Sequence, residues 1–201
     1  MKTWILAGIA LIVLFALLGA GFHHLRPVFA AEVQEPERPG SGSLWDLRTR
    51  TLAGEKIGLD AWRGRVALVV NVASKCGLTP QYEGLEALYR ELEPRGLVVL
   101  GFPSNDFLQQ EPGTPQQIRQ FCTTNYGVTF PLMHKIEVKG EDKDPVYAFL
   151  TRGGLDEPSW NFTKYLVGRD GKVIARFGPR TKPDDADLRA AINDALGAAA
   201  D

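Results

Sequence analysis

Residues 65–102 read RVALVVNVASKCGLTPQYEGLEALYRELEPRGLVVLGF. Arg65 to Val72 is a nearly unbroken aliphatic run behind Gly64, the pattern of a strand buried on both faces. A turn from Ser74 to Thr79 carries Cys76, and Pro80 suits the first turn of a helix. Tyr82, Leu85, Leu88, Tyr89 and Leu92 then recur at helical spacing until Pro94 and Gly96 end the pattern. Leu97 to Phe102 is a second buried-type strand. Strand, turn, helix and strand make a βαβ unit, so this pair of strands is expected to be parallel.

Upstream, Leu44–Thr51 and Glu55–Leu59 flank Ala53-Gly54 and predict a small β-hairpin. Downstream, Thr114 is a candidate N-cap with Pro115 at the first helical position, opening a helix through Ile118, Phe121 and Cys122. Lys135–Lys139 reads as a short strand, and Pro145 opens a helix through Val146, Phe149 and Leu150. Thr163–Val167 and Lys172–Phe177 are strands joined by Gly168-Arg169-Asp170-Gly171, and Asp184–Leu196 closes the chain as an amphipathic helix. The order predicts an α/β thioredoxin-like fold: a central mixed sheet flanked by helices, with an N-terminal β-hairpin. In that layout a cysteine after the first βαβ strand lies near a helix N-terminus, where the dipole and backbone N–H groups favour a thiolate.

The domain is expected to span residues 43–201. Ahead of it, Ala31–Gly42 (AEVQEPERPGSG) is polar and rich in Pro, Gly and Glu, the composition of a flexible linker. Trp4–Gly21 is apolar and uncharged, and two readings of residues 1–30 stand. One is a secretory signal cut between Ala30 and Ala31; the other is an uncleaved membrane anchor. Either places the domain in an exported (periplasmic or extracellular) or membrane-anchored setting. Lys2 precedes the run and Arg26 and Arg38 follow it, which leaves the orientation open.

Twenty-three Lys and Arg against 24 Asp and Glu give a net charge of −1, with no basic stripe, so nucleic-acid binding has no electrostatic footprint. Two cysteines, Cys76 and Cys122, are too few for a disulfide scaffold, form no CxxC pair and have no zinc-site spacing around them. No glycine-rich phosphate loop is present, and neither metal nor cofactor is expected.

Four segments carry more than fold: NVASKCGLTPQ (71–81), FPSNDFLQQEPG (102–113), YGVTFPL (126–132) and WNFTKYLV (160–167). Together, in order and without large gaps, they closely resemble the glutathione peroxidases over about residues 44–187. The resemblance implies that Cys76 is the peroxidatic residue, supported by Gln110, Trp160 and Asn161. The types suit the chemistry. A thiolate is the nucleophile, while amide N–H groups and an indole N–H donate hydrogen bonds to charged sulfur or to the departing oxygen. Cys122 shares a predicted helix face with Ile118 and Phe121, as a packed core cysteine would. The resemblance adds a second reading: Cys122 occupies the place of the resolving cysteine of two-cysteine members, far from Cys76 until the helix unwinds.

The sequence departs from the family at Ser104, where a cysteine is common, and at Asp106, where glutamine is usual. The short connection from Leu150 to Trp160 lacks the insertion of tetrameric members and implies a monomer with an open site. The implied activity is reduction of hydrogen peroxide or organic and lipid hydroperoxides, through a Cys76 sulfenic acid and then a Cys76–Cys122 disulfide. A thioredoxin-like dithiol protein would regenerate it, or glutathione if Cys122 is structural. The alternative is a membrane-tethered redox sensor or thiol-disulfide relay using the same cysteine.

Overall fold

A computed structural model describes residues 33–34 and 42–198. The signal or anchor expected over residues 1–30 lies outside the described residues. Among the described residues, no helix is long and apolar enough to cross a membrane.

The regular elements are β1 (Val33–Gln34), β2 (Arg48–Arg50), β3 (Lys56–Gly58), β4 (Val66–Val72), α1 (Gln81–Leu92), β5 (Leu97–Pro103), α2 (Pro115–Tyr126), α3 (Pro145–Leu150), β6 (Lys164–Val167), β7 (Val173–Phe177) and α4 (Ala186–Gly197). Five strands form one sheet in the order β1-β7-β6-β4-β5. β4 and β5 are parallel, with Val66 opposite Leu97 and Val72 opposite Pro103, as the βαβ reading requires. The other neighbours are antiparallel. The sheet is therefore mixed, and the thioredoxin-like architecture expected from the sequence is the one observed.

The unbroken apolar run of β4 follows from burial on both faces. Alternation sends Val66, Leu68, Val70 and Val72 into the cluster that packs α1, α2 and α4. Ala67 and Val69 face a second cluster with Val98, Leu100, Phe102 and the apolar side of α3. At about 25 cal/mol per Å² of apolar area, these two clusters are the main source of stability. A Cβ on Gly101 would stand 2.8 Å from a Leu132 methyl, so a larger residue there would push that side chain aside.

Three expectations are corrected. The N-terminal hairpin is confined to β2 and β3. Leu44–Asp46, expected to extend it, is a 3₁₀ turn, and Leu59, expected to end its second strand, instead opens another, Leu59–Trp62. The Trp45 indole N–H donates to the Arg169 carbonyl at 2.9 Å, drawing that segment onto the β6–β7 turn. Lys135–Lys139 is no strand. Ile136 N–H reaches the Pro103 carbonyl, but the Val138 N–H goes to the Asp106 carboxylate and Lys135 Nζ to the Glu111 and Gly113 carbonyls, so no ladder continues. Finally, Val33–Gln34, assigned to the flexible linker, pairs with β7, Val33 opposite Phe177 and Gln34 opposite Arg176.

Candidate functional site

Three segments converge beyond the C-terminal ends of the parallel strands: the turn after β4, the loop after β5 and the entry to β6. Asn71 organises the first and third. It is the polar break in the apolar run of β4 and is fully buried. Its Nδ2 donates to the Trp160 carbonyl at 3.0 Å, and its Oδ1 accepts from Thr163 N–H at 3.1 Å. Its carbonyl accepts from Phe162 N–H at 2.6 Å. Phe162 has a left-handed backbone, φ 68°, unusual for a residue with a Cβ. Its buried ring meets Tyr82 edge-on, centroids 5.4 Å apart, which holds the strained turn in place.

Cys76 lies in the turn between β4 and α1 and is 8% exposed. Its backbone N–H donates to Thr79 Oγ1 at 3.0 Å, and that hydroxyl donates in turn to the Ala73 carbonyl at 2.9 Å. Bonds from Thr79 N–H to the Cys76 carbonyl and from Gln81 N–H to the Leu78 carbonyl lead this turn into α1. The sulfur accepts the Leu78 backbone N–H at 3.4 Å. One backbone N–H of the turn that opens α1 is thus aimed at the sulfur.

Gln110 is brought to the same place by the backbone. Lys75 N–H donates to the Gln110 carbonyl at 2.9 Å, fastening the loop after β5 to the residue before Cys76. Leu108 and Gln109 both have left-handed backbones, φ 51° and 54°, and a Gln110 N–H to Phe107 carbonyl bond closes the turn. Asn161 is fully buried, and its Nδ2 donates to Gln110 Oε1 at 2.9 Å. The Gln110 amide thus has its oxygen occupied and its N–H groups left as the donor end. Trp160 is half-buried, stacks at a tilt on Phe107 with centroids 5.4 Å apart, and packs against the cluster containing Cys76. The structure therefore gathers Cys76, Gln110, Trp160 and Asn161 onto one tied set of loops.

Cys122 is in a different setting. It lies on α2, completely buried, in the same apolar cluster as Cys76. Both cysteines are free thiols. Burial pushes the Cys122 thiol up to about 11, partly offset by the Tyr82 hydroxyl and reinforced by the nearby Glu111 carboxyl. The Tyr82 hydroxyl makes no well-formed hydrogen bond; the Cys122 sulfur is its polar neighbour. α2 starts on a capping box, Thr114 Oγ1 accepting from Gln117 N–H and Gln117 Oε1 from Thr114 N–H. It stops at left-handed Gly127, and Val128 N–H closes back onto the Cys122 carbonyl at 3.3 Å.

Sequence reasoning missed the supports. Asn71 was read as part of a strand, and Ser74 and Glu111 were given no role. Ser74 Oγ donates to Glu111 Oε2 at 3.0 Å, and Glu111 is fully buried. The available signal was a lone polar residue at the end of an apolar run (Asn71) and an acid beside an expected site residue (Glu111). Among the described residues, no His, Cys, Asp and Glu cluster is arranged to hold a metal ion.

Comparison with known proteins agrees with this arrangement. The glutathione peroxidase family profile matches residues 44–151. A hydroperoxy fatty acid reductase of Synechocystis sp. is 52% identical over 147 residues, covering 73% of this chain and 95% of the relative. A glutathione peroxidase-like peroxiredoxin of Saccharomyces cerevisiae is 49% identical over 150 residues, covering 72% and 93%. The crystal structure of Trgpx in apo form superposes with a TM-score of 0.66 at 37% identity, covering 80% of this chain and 99% of that one. A thioredoxin-like sheet, a cysteine at the β4–α1 turn and relatives about half identical over nearly their whole length have one common reading: the chain belongs to the glutathione peroxidase family, whose members are peroxide-reducing oxidoreductases.

Proposed function

We propose that this thiol peroxidase works through Cys76 as its peroxidatic nucleophile, with Gln110, Trp160 and Asn161 as the donors around it. The observation that carries the reading is the tied geometry of the turn. Cys76 sulfur accepts a backbone N–H, and the next residue upstream is bonded to the loop that presents the Gln110–Asn161 amide pair. The thiolate attacks one peroxide oxygen, the O–O bond breaks, and Cys76 becomes a sulfenic acid. The other oxygen leaves as hydroxide or alkoxide and is protonated to water or an alcohol. The N–H groups of Gln110 and Trp160 stabilise the charge that develops on it.

Cys122 then condenses with the sulfenic acid, releasing water and forming a Cys76–Cys122 disulfide. A thioredoxin-like dithiol protein, or glutathione, reduces that disulfide by exchange. Organic hydroperoxides are the substrate class best supported: one relative is named a hydroperoxy fatty acid reductase, and Leu108, 78% exposed two residues before Gln110, offers an alkyl chain an apolar rim. The short Leu150–Trp160 connection supports a monomer, and the apolar run Trp4–Gly21 supports export or membrane anchoring.

Mass spectrometry of the reduced protein after one equivalent of hydrogen peroxide tests this cycle. The expected result is loss of two hydrogens and no thiol left to alkylate. A gain of one oxygen with Cys122 still alkylatable makes Cys122 structural. Two unchanged thiols remove Cys76 from the mechanism.

A further inference from the structure

Glu111 is fully buried and fixed along its backbone. Its N–H donates to Asn105 Oδ1 at 2.9 Å, and its carbonyl accepts from Lys135 Nζ at 3.0 Å. One carboxyl oxygen, Oε2, accepts from Ser74 Oγ, two residues before Cys76. The other, Oε1, is buried without a hydrogen-bond partner. It points toward the start of α2, 3.8 Å from where a Cβ on Gly113 would stand. Glu111, Ser74 and Lys75 on one side and Ile118 and Phe121 of α2 on the other line a cleft of about 570 Å³. The carboxyl's field reaches both the Cys122 thiol and the Tyr82 hydroxyl. A fixed carboxyl with one idle oxygen thus stands between the turn of Cys76 and the helix of Cys122.

We propose that Glu111 is the general base of the resolving step, its carboxylate taking the Cys122 thiol proton as that sulfur attacks the Cys76 sulfenic acid. The inference rests on the reading that Cys122 resolves. The step balances. The Cys122 S–H bond gives its proton to Glu111, and its electron pair forms the S–S bond. The Cys76 S–O bond breaks toward oxygen, and the departing hydroxide takes the proton back from Glu111 to leave as water. Cys122 sulfur is oxidised and Cys76 sulfur is reduced.

A base is required because the thiolate is the attacking form and the Cys122 thiol, pushed up to about 11 by burial in the intact helix, starts protonated. Burial also raises the Glu111 carboxyl, which brings it closer to a useful base, while Ser74, Lys135 and Lys75 oppose that rise and favour the ionised form. The titratable and charged groups facing it are thus Lys75, Lys135, Tyr82 and Cys122. Gln110, its neighbour, serves the first step; Glu111 serves the second.

The test is rapid mixing of the reduced protein with one equivalent of hydrogen peroxide, following sulfenic acid by dimedone trapping and disulfide by loss of free thiol, from pH 5 to 9. Glu111→Gln keeps the size of the side chain and an acceptor for Ser74. The expected result is sulfenic acid formed within about two-fold of the wild-type rate. Disulfide formation is expected to slow at least ten-fold and to lose the acid limb of its pH profile. Ser74→Ala removes a bond that lowers the carboxyl, so it is expected to move that limb to higher pH; this readout stands even if Glu111→Gln does not fold. Disulfide formation in Glu111→Gln at the wild-type rate and with the wild-type pH profile overturns the role of Glu111. Absence of any disulfide in the wild-type protein overturns instead the resolving reading on which it rests.

Discussion

Cys76 and Cys122 belong to one apolar cluster and share almost no chemistry. Cys76 is on a turn where backbone N–H groups are not yet committed to a helix, and one of them reaches its sulfur. Cys122 is inside α2, where the backbone bonds are spent on the helix and burial drives its thiol up to about 11. Burial is similar; the state of the surrounding chain is not. The sulfur where the helix begins has a backbone N–H aimed at it, and the sulfur where the helix continues has its thiol held protonated by burial.

The sharpest way to break this contrast is substitution. Cys76→Ser is expected to lower peroxide turnover by roughly 10³-fold or more, the scale of losing an enzymatic nucleophile. Cys122→Ser leaves a sulfenic acid that forms but does not convert to a disulfide. Equal loss of sulfenic acid formation in both variants would erase the distinction. Alkylation comes next. At pH 7.5 iodoacetamide is expected to label Cys76, with folded Cys122 roughly 100-fold slower than an ordinary thiol because its thiolate fraction is that much smaller. Cys122 labelling at the rate of the unfolded chain would show that its burial is not maintained.

Gln110→Ala and Asn161→Ala probe the donor side. Each is expected to slow sulfenic acid formation roughly 10- to 100-fold, the scale of removing one preorganised donor, with disulfide formation little changed. The smallest effect concerns stability. The folded Cys122 pKa lies above the ordinary thiol value of about 9, so its contribution is complete below pH 9 and lost as pH rises toward about 11. Chemical denaturation is expected to show roughly 1–3 kcal/mol less alkaline loss in Cys122→Ser than in the wild-type protein.

How far the sequence carries can be read residue by residue. The parallel pair was legible because Val66–Val72 and Leu97–Phe102 are buried on both faces and bounded by Gly64, Pro94 and Gly96. Thr114 and Pro115 announced the start of α2, and the capping box is there. Cys76, Gln110, Trp160 and Asn161 were marked by their motifs, and backbone and amide bonds tie their segments together. What the sequence hid depends on partners far along the chain. Asn71 bonds the backbone around Trp160 and Thr163, 89 and 92 residues away, and Ser74 meets Glu111 37 residues away. No local pattern encodes such pairs. The left-handed turn at Phe162 was equally hidden, because tertiary packing on Tyr82 rather than a glycine sustains it.

The closure of α2 on the Cys122 carbonyl has a mechanical consequence. The helix is clamped at its capping box and latched at the other end by the residue that would have to travel. If Cys122 swings to Cys76, the latch at Gly127 and Val128 opens with it. Thr129, whose N–H and hydroxyl are held by Glu86, is then pulled from its mooring. On that reading residues 122–129 would be cut by a protease faster in the disulfide form than in the reduced form, which limited proteolysis of the two forms checks.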